Sequence, residues 1–258
     1  MLVLDKVLES NLYDVSQMIL HENWDWLHLN SGMERGGKSS LALFQAKFLS
    51  EQGLKFDWSP ALSHVFFLEP NLSAKMMSLP DKCVAILDEG GEAMFSRDAI
   101  DRTVKDVIKT LMIYGSKNVF LIINIPNWRW IDRYVRESRV RSMAEIFTFP
   151  KATVDAGSPS GFRVSQKRGF FSLYSRNQVL QASRSDFRQL SAPLHSGRFG
   201  NFATAHPKEW EWYVAKKVAF LESKREKGDA RVKAREQKSL VKNIRVGGRP
   251  EPSKGLGL

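Results

Sequence analysis

The chain is poor in cysteine. Cys83 is its one thiol among 258 residues, so no disulfide can form within it, and that usage fits a reducing compartment. Its five histidines are scattered, with no Cys/His spacing that could close a zinc site. No apolar run approaches the roughly 20 residues of a membrane-spanning helix. The opening stretch carries Asp and Glu where a signal peptide would have an apolar core. The expectation is a cytoplasmic protein without an integral membrane segment. No internal repeat is evident. Acidic residues are also scarce: 28 Asp and Glu face 39 Lys and Arg, a net charge of +11, with a pI near 9.8. Such an excess points to nucleic acid or to an anionic membrane surface. Residues 222–258 hold 11 Lys/Arg against 5 Asp/Glu, so about half the excess sits in the tail and half on the body.

What is present is an ordinary globular composition, 43% hydrophobic and 26% charged, long enough for one good core with appendages. Within it, Gly32-Met33-Glu34-Arg35-Gly36-Gly37-Lys38-Ser39 fits the phosphate-binding pattern G-x-x-x-x-G-K-[ST]. The pattern means little unless a strand precedes it and a helix follows. Trp24 to Leu29 reads as that strand. Ser39 to Gln52 reads as that helix, with Leu41, Leu43, Phe44, Phe48 and Leu49 on one face and Gly53 as its stop. Glycines let the backbone curl so that its N–H groups face phosphate oxygens, and the helix N-terminus adds partial positive charge. Residues Gly32 to Ser39, with Ser40, are the expected phosphate cradle. Lys38 would reach the β- and γ-phosphates, and Ser39 would help to hold Mg²⁺.

His64 to Glu69 reads as a short strand, and Pro70 to Leu79 as a loop with a short helix. Lys82 to Glu89 contains an uncharged apolar run without alternation, the mark of a strand buried on both faces. It ends in Asp88-Glu89, at the edge where open α/β sheets bind ligands. Asp88 would hold Mg²⁺ and Glu89 would polarise the attacking water. Fifty positions separate Lys38 from Asp88, with a strand candidate between them. That layout belongs to P-loop ATPases with an added strand and a catalytic Glu.

Asp98 to Tyr114 is periodic as an amphipathic helix. Val119 to Pro126 is the next buried strand, and its single Asn124 needs a hydrogen bond to be tolerated there. Two roles stand open for it: a sensor of the γ-phosphate or attacking water, or a support for the turn at Pro126. Arg129 to Arg139 reads as a helix with an arginine stripe of Arg129, Arg133 and Arg136. The stripe could meet DNA phosphate, a neighbour's nucleotide or only solvent. Arg139 and Arg141, off the stripe, are the candidates for an arginine finger. Met143 to Phe149 reads as a fifth core strand ended by Pro150.

Beyond 150 the texture changes. Phe162 to Val164, Gly169 to Tyr174 and Gln178 to Leu180 read as short strands of a hairpin. The cations around them (Lys167, Arg168, Arg176, Arg184, Arg188) interleave with Phe170, Phe171 and Tyr174. They could track a nucleic acid or simply be solvated. Pro207 opens a helix whose face, Trp210, Val214, Val218 and Leu221, should dock on the core. The division expected is an N-terminal helical arm 1–21, an ATPase core 22–150, a hairpin and C-terminal helix 151–227, and a basic disordered tail 228–258.

Together, Gly32 to Ser39, Asp88-Glu89, Asn124-Ile125-Pro126 and the arginine-rich segment after it resemble the HerA/FtsK class of P-loop ATPases, most nearly the zonular-occludens-toxin-like proteins of viruses and plasmids. The resemblance covers about residues 22–150. It implies an α/β, RecA-like P-loop NTPase of the ASCE division, with a mostly parallel five-stranded core sheet and a C-terminal hairpin and helix. It also implies hydrolysis of Mg²⁺-ATP, a homo-oligomeric ring that is often a hexamer, and movement of DNA, double-stranded in the expected case. Asn124 stands where the class commonly has Gln. The toxin-like members of filamentous phages carry a membrane anchor, and the absence of such a run here favours a soluble DNA motor. The alternatives are a DNA-binding or virion-assembly protein with little turnover, and a kinase that would pass the phosphoryl group to an acceptor.

Overall fold

A computed structural model of the chain describes residues 4–58, 64–67, 71–88, 115–154, 162–185 and 189–246. It divides into two units, Met1–Val214 and Ala215–Leu258. The expected helix from Asp98 to Tyr114, the loop around 157–161 and the last residues of the basic tail lie outside the described residues, as does Glu89.

The first unit is built on a seven-stranded sheet in the order β2-β3-β4-β1-β5-β6-β7. Strands β1 (Trp26–Gly32), β2 (Val65–Phe66), β3 (Val84–Leu87), β4 (Phe120–Ile125) and β5 (Val140–Val154) run parallel. Strands β6 (Phe162–Ser175) and β7 (His195–Arg198) add antiparallel at the β5 side. Every residue of β3 and β4 is buried, as parallel strands covered on both faces require. The sheet is therefore α/β and RecA-like, with β4 inserted between the strand carrying the glycine loop and the strand ending at Asp88.

One face packs on a cluster that includes Leu29, Met76, Leu87, Ile123, Trp128, Val135 and Met143. The other face takes α2 (Lys38–Phe48) and α1 (Lys6–His21). Asp5 caps α1 by accepting from the N–H groups of Val7 and Leu8. Leu8, Leu12, Ser16 and Ile19, spaced by three or four, turn inward. They meet the turn Leu49–Gly53 that prolongs α2, where a Cβ on Gly53 would lie 2.9 Å from that of Ser16. Helix α3 spans Leu72–Met77, as the sequence predicts.

Four expectations are corrected. Residues 129–139 are not one helix. Asn127 caps a short 3-10 turn, Trp128–Trp130, and Asp132 accepts from the N–H of Tyr134 to start a second turn that ends at Arg139. Two local side-chain caps compete with one continuous helix and win. The arginine stripe dissolves with it: Arg136 is buried, donating to Ser183 and to the carbonyls of Arg129 and Ile131, while Arg133 pairs with Glu137 outside. Strand β5 does not stop at Pro150 but runs through it to Val154, which is tolerable where the proline's strand edge has no neighbour among the described residues. Residues 178–180 are not a strand. They belong to helix α4 (Arg176–Arg184), started by a capping box of Ser175 and Gln178.

Helix α5 covers Phe202–Ala205 and α6 covers Pro207–Val246. In the first unit, Tyr213 is the buried residue of α6, whereas Val214 is exposed. In the second unit Val218 and Leu221, assigned to a docking face, are exposed as well. Among the described residues no helix is long and apolar enough to cross a membrane.

Candidate functional site

The glycine loop leaves β1 at the C-terminal edge of the parallel strands. Gly32 opens it with φ 146°, and its N–H donates to the carbonyl of Pro126 at the end of β4. A Cβ at Gly32 would stand 2.1 Å from the carbonyl oxygen of Ile146 on β5, so only glycine lets the loop start between its two neighbours. Arg35 is left-handed at φ 59°, and Gly37, at φ 110°, starts α2 without a side-chain cap. The Lys38 ammonium bends back across the loop and donates to the carbonyls of Gly32 at 2.7 Å and Met33 at 2.8 Å. The backbone curl followed by a helix start has the geometry that can cradle an anion. Met33, Glu34 and Arg35 form its exposed lip, whereas Gly36 is buried and Ser39 and Ser40 are half-buried.

Below the cradle, three of the predicted residues converge. Ser39 Oγ donates to Asp88 Oδ2 at 3.1 Å, and Asn124 Nδ2 donates to Asp88 Oδ1 at 2.9 Å. The sheet register explains the second bond, since Leu87 of β3 lies beside Ile123 of β4, one residue before each partner. Asn124 Oδ1 is buried without a hydrogen-bond partner among the described residues, which is a cost unless a ligand or water satisfies it. A hydroxyl and one carboxylate are hard oxygen donors of the kind Mg²⁺ uses together with phosphate oxygens and water. Among the described residues no group of three His, Cys, Asp or Glu could hold a metal by itself.

Two contributors were missed in the sequence. The Tyr213 hydroxyl donates to Asp88 Oδ2, with its ring 5.1 Å from that of Trp210. Nothing local in the sequence of a charged helix foretells a partner so distant. A polar chain also runs under the loop. Trp26 Nε1 donates to Ser142 Oγ at 2.8 Å, and His28 Nδ1 lies 2.7 Å from the same oxygen. Gln45 Nε2 is 3.1 Å from His28 Nε2, and Asn30 Nδ2 donates to Gln45 Oε1 at 3.0 Å. Burial lowers the His28 pKa to about 4, and the geometry fits a neutral ring protonated on Nδ1, with Nε2 accepting from Gln45. The period-two pattern Trp26, His28, Asn30 was the available signal: these residues share the sheet face that α2 covers.

Arg139 and Arg141 are not brought to the loop of their own chain. They stand at the start of β5, whose Val140 pairs with Leu27 at the start of β1, on the opposite edge of the sheet. Arg139 Nη2 is 2.5 Å from Asp25 Oδ2. Arg141 lies over the Trp24 ring, 4.8 Å from its centroid. Burial, followed by the like charge of Arg176, holds the Arg141 pKa below its usual value.

No protein-family model matches the sequence, and no curated protein matches it. Among solved structures the chain is similar to the AAA domain of FIGL-1, with 11% identity and a TM-score of 0.40 over 55% of this chain and 52% of that one. The chain thus spans about half the length of that domain's chain. It is similar also to a chain of the Escherichia coli MS115-1 HORMA:CdnC:Trip13 complex, with 11% identity and a TM-score of 0.41 over 59% and 64%. A third is the genome packaging NTPase B204 of Sulfolobus turreted icosahedral virus 2 in complex with AMP, at 11% identity and a TM-score of 0.38 over 59% and 93%. The assignment of the fold rests on the strand order and the loop, and not on these distant likenesses.

Proposed function

We propose that the chain is an ATP-hydrolysing motor of the HerA/FtsK class, most like its zonular-occludens-toxin-like members, that moves DNA for a viral or plasmid element in the host cytoplasm. The observation that carries the reading is the convergence of Ser39 and Asn124 on Asp88 directly below the glycine loop. An Asp at the end of an inserted-strand sheet, held by the loop serine and by an amide from the next strand, is what hydrolysis at a P-loop needs. ATP would supply the phosphoanhydride that water cleaves. The backbone of Gly32 to Ser40 would bind the phosphates, and Lys38 would leave its two carbonyls to meet phosphate oxygens. Ser39 and Asp88 would hold Mg²⁺. Glu89 would take the proton of the attacking water, and Asn124 would orient that water or the γ-phosphate. In a homo-oligomeric ring, often a hexamer in the class, an arginine from a neighbour would neutralise transition-state charge. Arg139 or Arg141 would serve only after leaving Asp25 or Trp24.

Phosphate release with and without DNA, measured beside binding of a fluorescent ATP analogue, tests the reading. Lys38→Ala should abolish hydrolysis and weaken binding. Glu89→Gln should bind ATP yet not turn it over, and DNA should stimulate the native protein. Wild-type turnover in either variant would sink the site assignment. Turnover indifferent to DNA would favour a nucleotide-switched assembly protein.

A further inference from the structure

The longest strands of the sheet do more than complete it. Strand β1 pairs with β5 only as far as Ile146, and β7 pairs with β6 only over Phe170–Leu173. Beyond those points, among the described residues, β5 and β6 pair with each other alone, from Phe149 with Lys167 out to Val154 with Phe162. Because β5 is parallel to β1, this two-stranded ribbon leaves the sheet at the same edge as the glycine loop. Its root is the Ile146 carbonyl, against which Gly32 turns.

The ribbon is uniformly basic. Residues 147–154 and 162–170 contain Lys151, Arg163, Lys167 and Arg168 and no Asp or Glu. Phe147, Phe149 and Phe170 pack at its base, with centroids 4.9 to 6.0 Å apart. Lys167 Nζ and the Arg198 guanidinium lie 5.5 Å and 5.2 Å from the centre of the Phe170 ring. Phe149 nevertheless remains 49% exposed. A break in register between Phe147 and Phe149, with Gly169 opposite at φ 88°, twists the ribbon at this point. A bare two-stranded ribbon is marginal in water, and an exposed phenyl ring amid cations asks for a partner.

We propose that this ribbon is the nucleic-acid-binding surface of the chain. Lys151, Lys167, Arg168 and Arg198 take successive phosphates, and an unstacked base lies on Phe149. Charge decides the occupant: the ribbon of a second copy is equally positive and would be repelled, whereas a phosphodiester strand is complementary. Aromatics with flanking cations are the usual means of holding a strand without reading its sequence. The inference rests on the reading that the chain acts on DNA.

The test is fluorescence anisotropy on the full chain without nucleotide, using a labelled 20-nucleotide single strand and a duplex of the same length across a salt series. The native chain should bind both. The triple substitution Lys151→Ala, Lys167→Ala, Arg168→Ala, at exposed positions, should weaken both and lower the single-strand salt slope by about 2, from roughly 0.7 per lost phosphate contact. Phe149→Ala should weaken the single strand about tenfold and leave the duplex within about twofold. Phe149→Tyr should restore single-strand binding, which a merely loosened ribbon would not do. Unchanged affinity of the triple variant beside a binding native chain overturns the ribbon while leaving the DNA reading intact. A native chain that binds neither probe overturns the DNA reading itself. A triple variant that binds normally but changes oligomeric state would make the ribbon an interface between copies and overturn the proposal.

Discussion

Removing one oxygen atom at Tyr213 should measure how strongly α6 is tied to Asp88. In Tyr213→Phe the ring stays, and with it the packing on Trp210 and on Phe67, 5.1 Å and 6.4 Å away between centroids. What goes is the hydroxyl that donates to Asp88 Oδ2. Hydrogen bonds to charged groups are worth about 1.5–3 kcal/mol. The carboxylate keeps Ser39 and Asn124, so it is left poorer but not stranded, and the lower end applies. The expected loss is about 1.5 kcal/mol, read from urea unfolding followed by far-ultraviolet circular dichroism. Tyr213 is only 3% exposed, so water cannot readily take the place of the hydroxyl. A double-mutant cycle with Asp88→Ala separates this bond from any general softening of the helix. The coupling should be about 1 kcal/mol or more. An unchanged midpoint in Tyr213→Phe, or strict additivity in the cycle, would refute the reasoning.

Two further outcomes follow from burial. The His28 pKa of about 4 in the folded chain lies below its ordinary 6.5, so the unfolded chain binds the extra proton first. Stability from this group is complete above about pH 6.5 and falls by about 3 kcal/mol as the pH drops toward 4. Urea unfolding at pH 7.5 and pH 4.5 should show a steeper loss for the native chain than for His28→Gln, and equal losses would contradict it. Burial also pushes the Cys83 thiol up to about 12. Its thiolate should be scarce and its reaction with a disulfide reagent at pH 8 slow until urea opens β3. Labelling of the native chain at the rate of a free thiol would count against that burial.

The sequence carried the parallel core because buried parallel strands must be nearly continuously apolar, and 84–87 and 119–123 are. It carried the loop because phosphate binding restricts residue types at fixed offsets. The elements that escaped it depend on partners far along the chain or on small polar caps. Strand β7, His-Ser-Gly-Arg, has no apolar alternation of its own and exists because β6 offers it an edge. The turns at Asn127 and Asp132 and the capping box at Ser175 are written in single polar residues, which periodicity weighs too lightly. Pro150 reads as a stop because prolines usually end paired strands, yet a ribbon whose edge has no neighbour among the described residues accommodates one. At the site, Ser39 and Asp88 were legible by motif and spacing, and Asn124 as the lone polar residue of an apolar strand. Tyr213 was not, since only folding brings α6 to β3.

The position of β1 in the middle of the sheet sets the order in which the protein can be made. The loop strand leaves the ribosome well before its two neighbours, which begin at Phe120 and Val140. Until they emerge, Gly32 has neither the Pro126 carbonyl to donate to nor the Ile146 backbone to turn against. Leu27 and Leu29 meanwhile lack the β4 and β5 members of their buried cluster. Such long-range parallel pairing is slow and leaves sticky intermediates. A nascent chain halted before residue 140 therefore leaves β1 without β5, and the glycine loop acquires its shape only after strands made well after it.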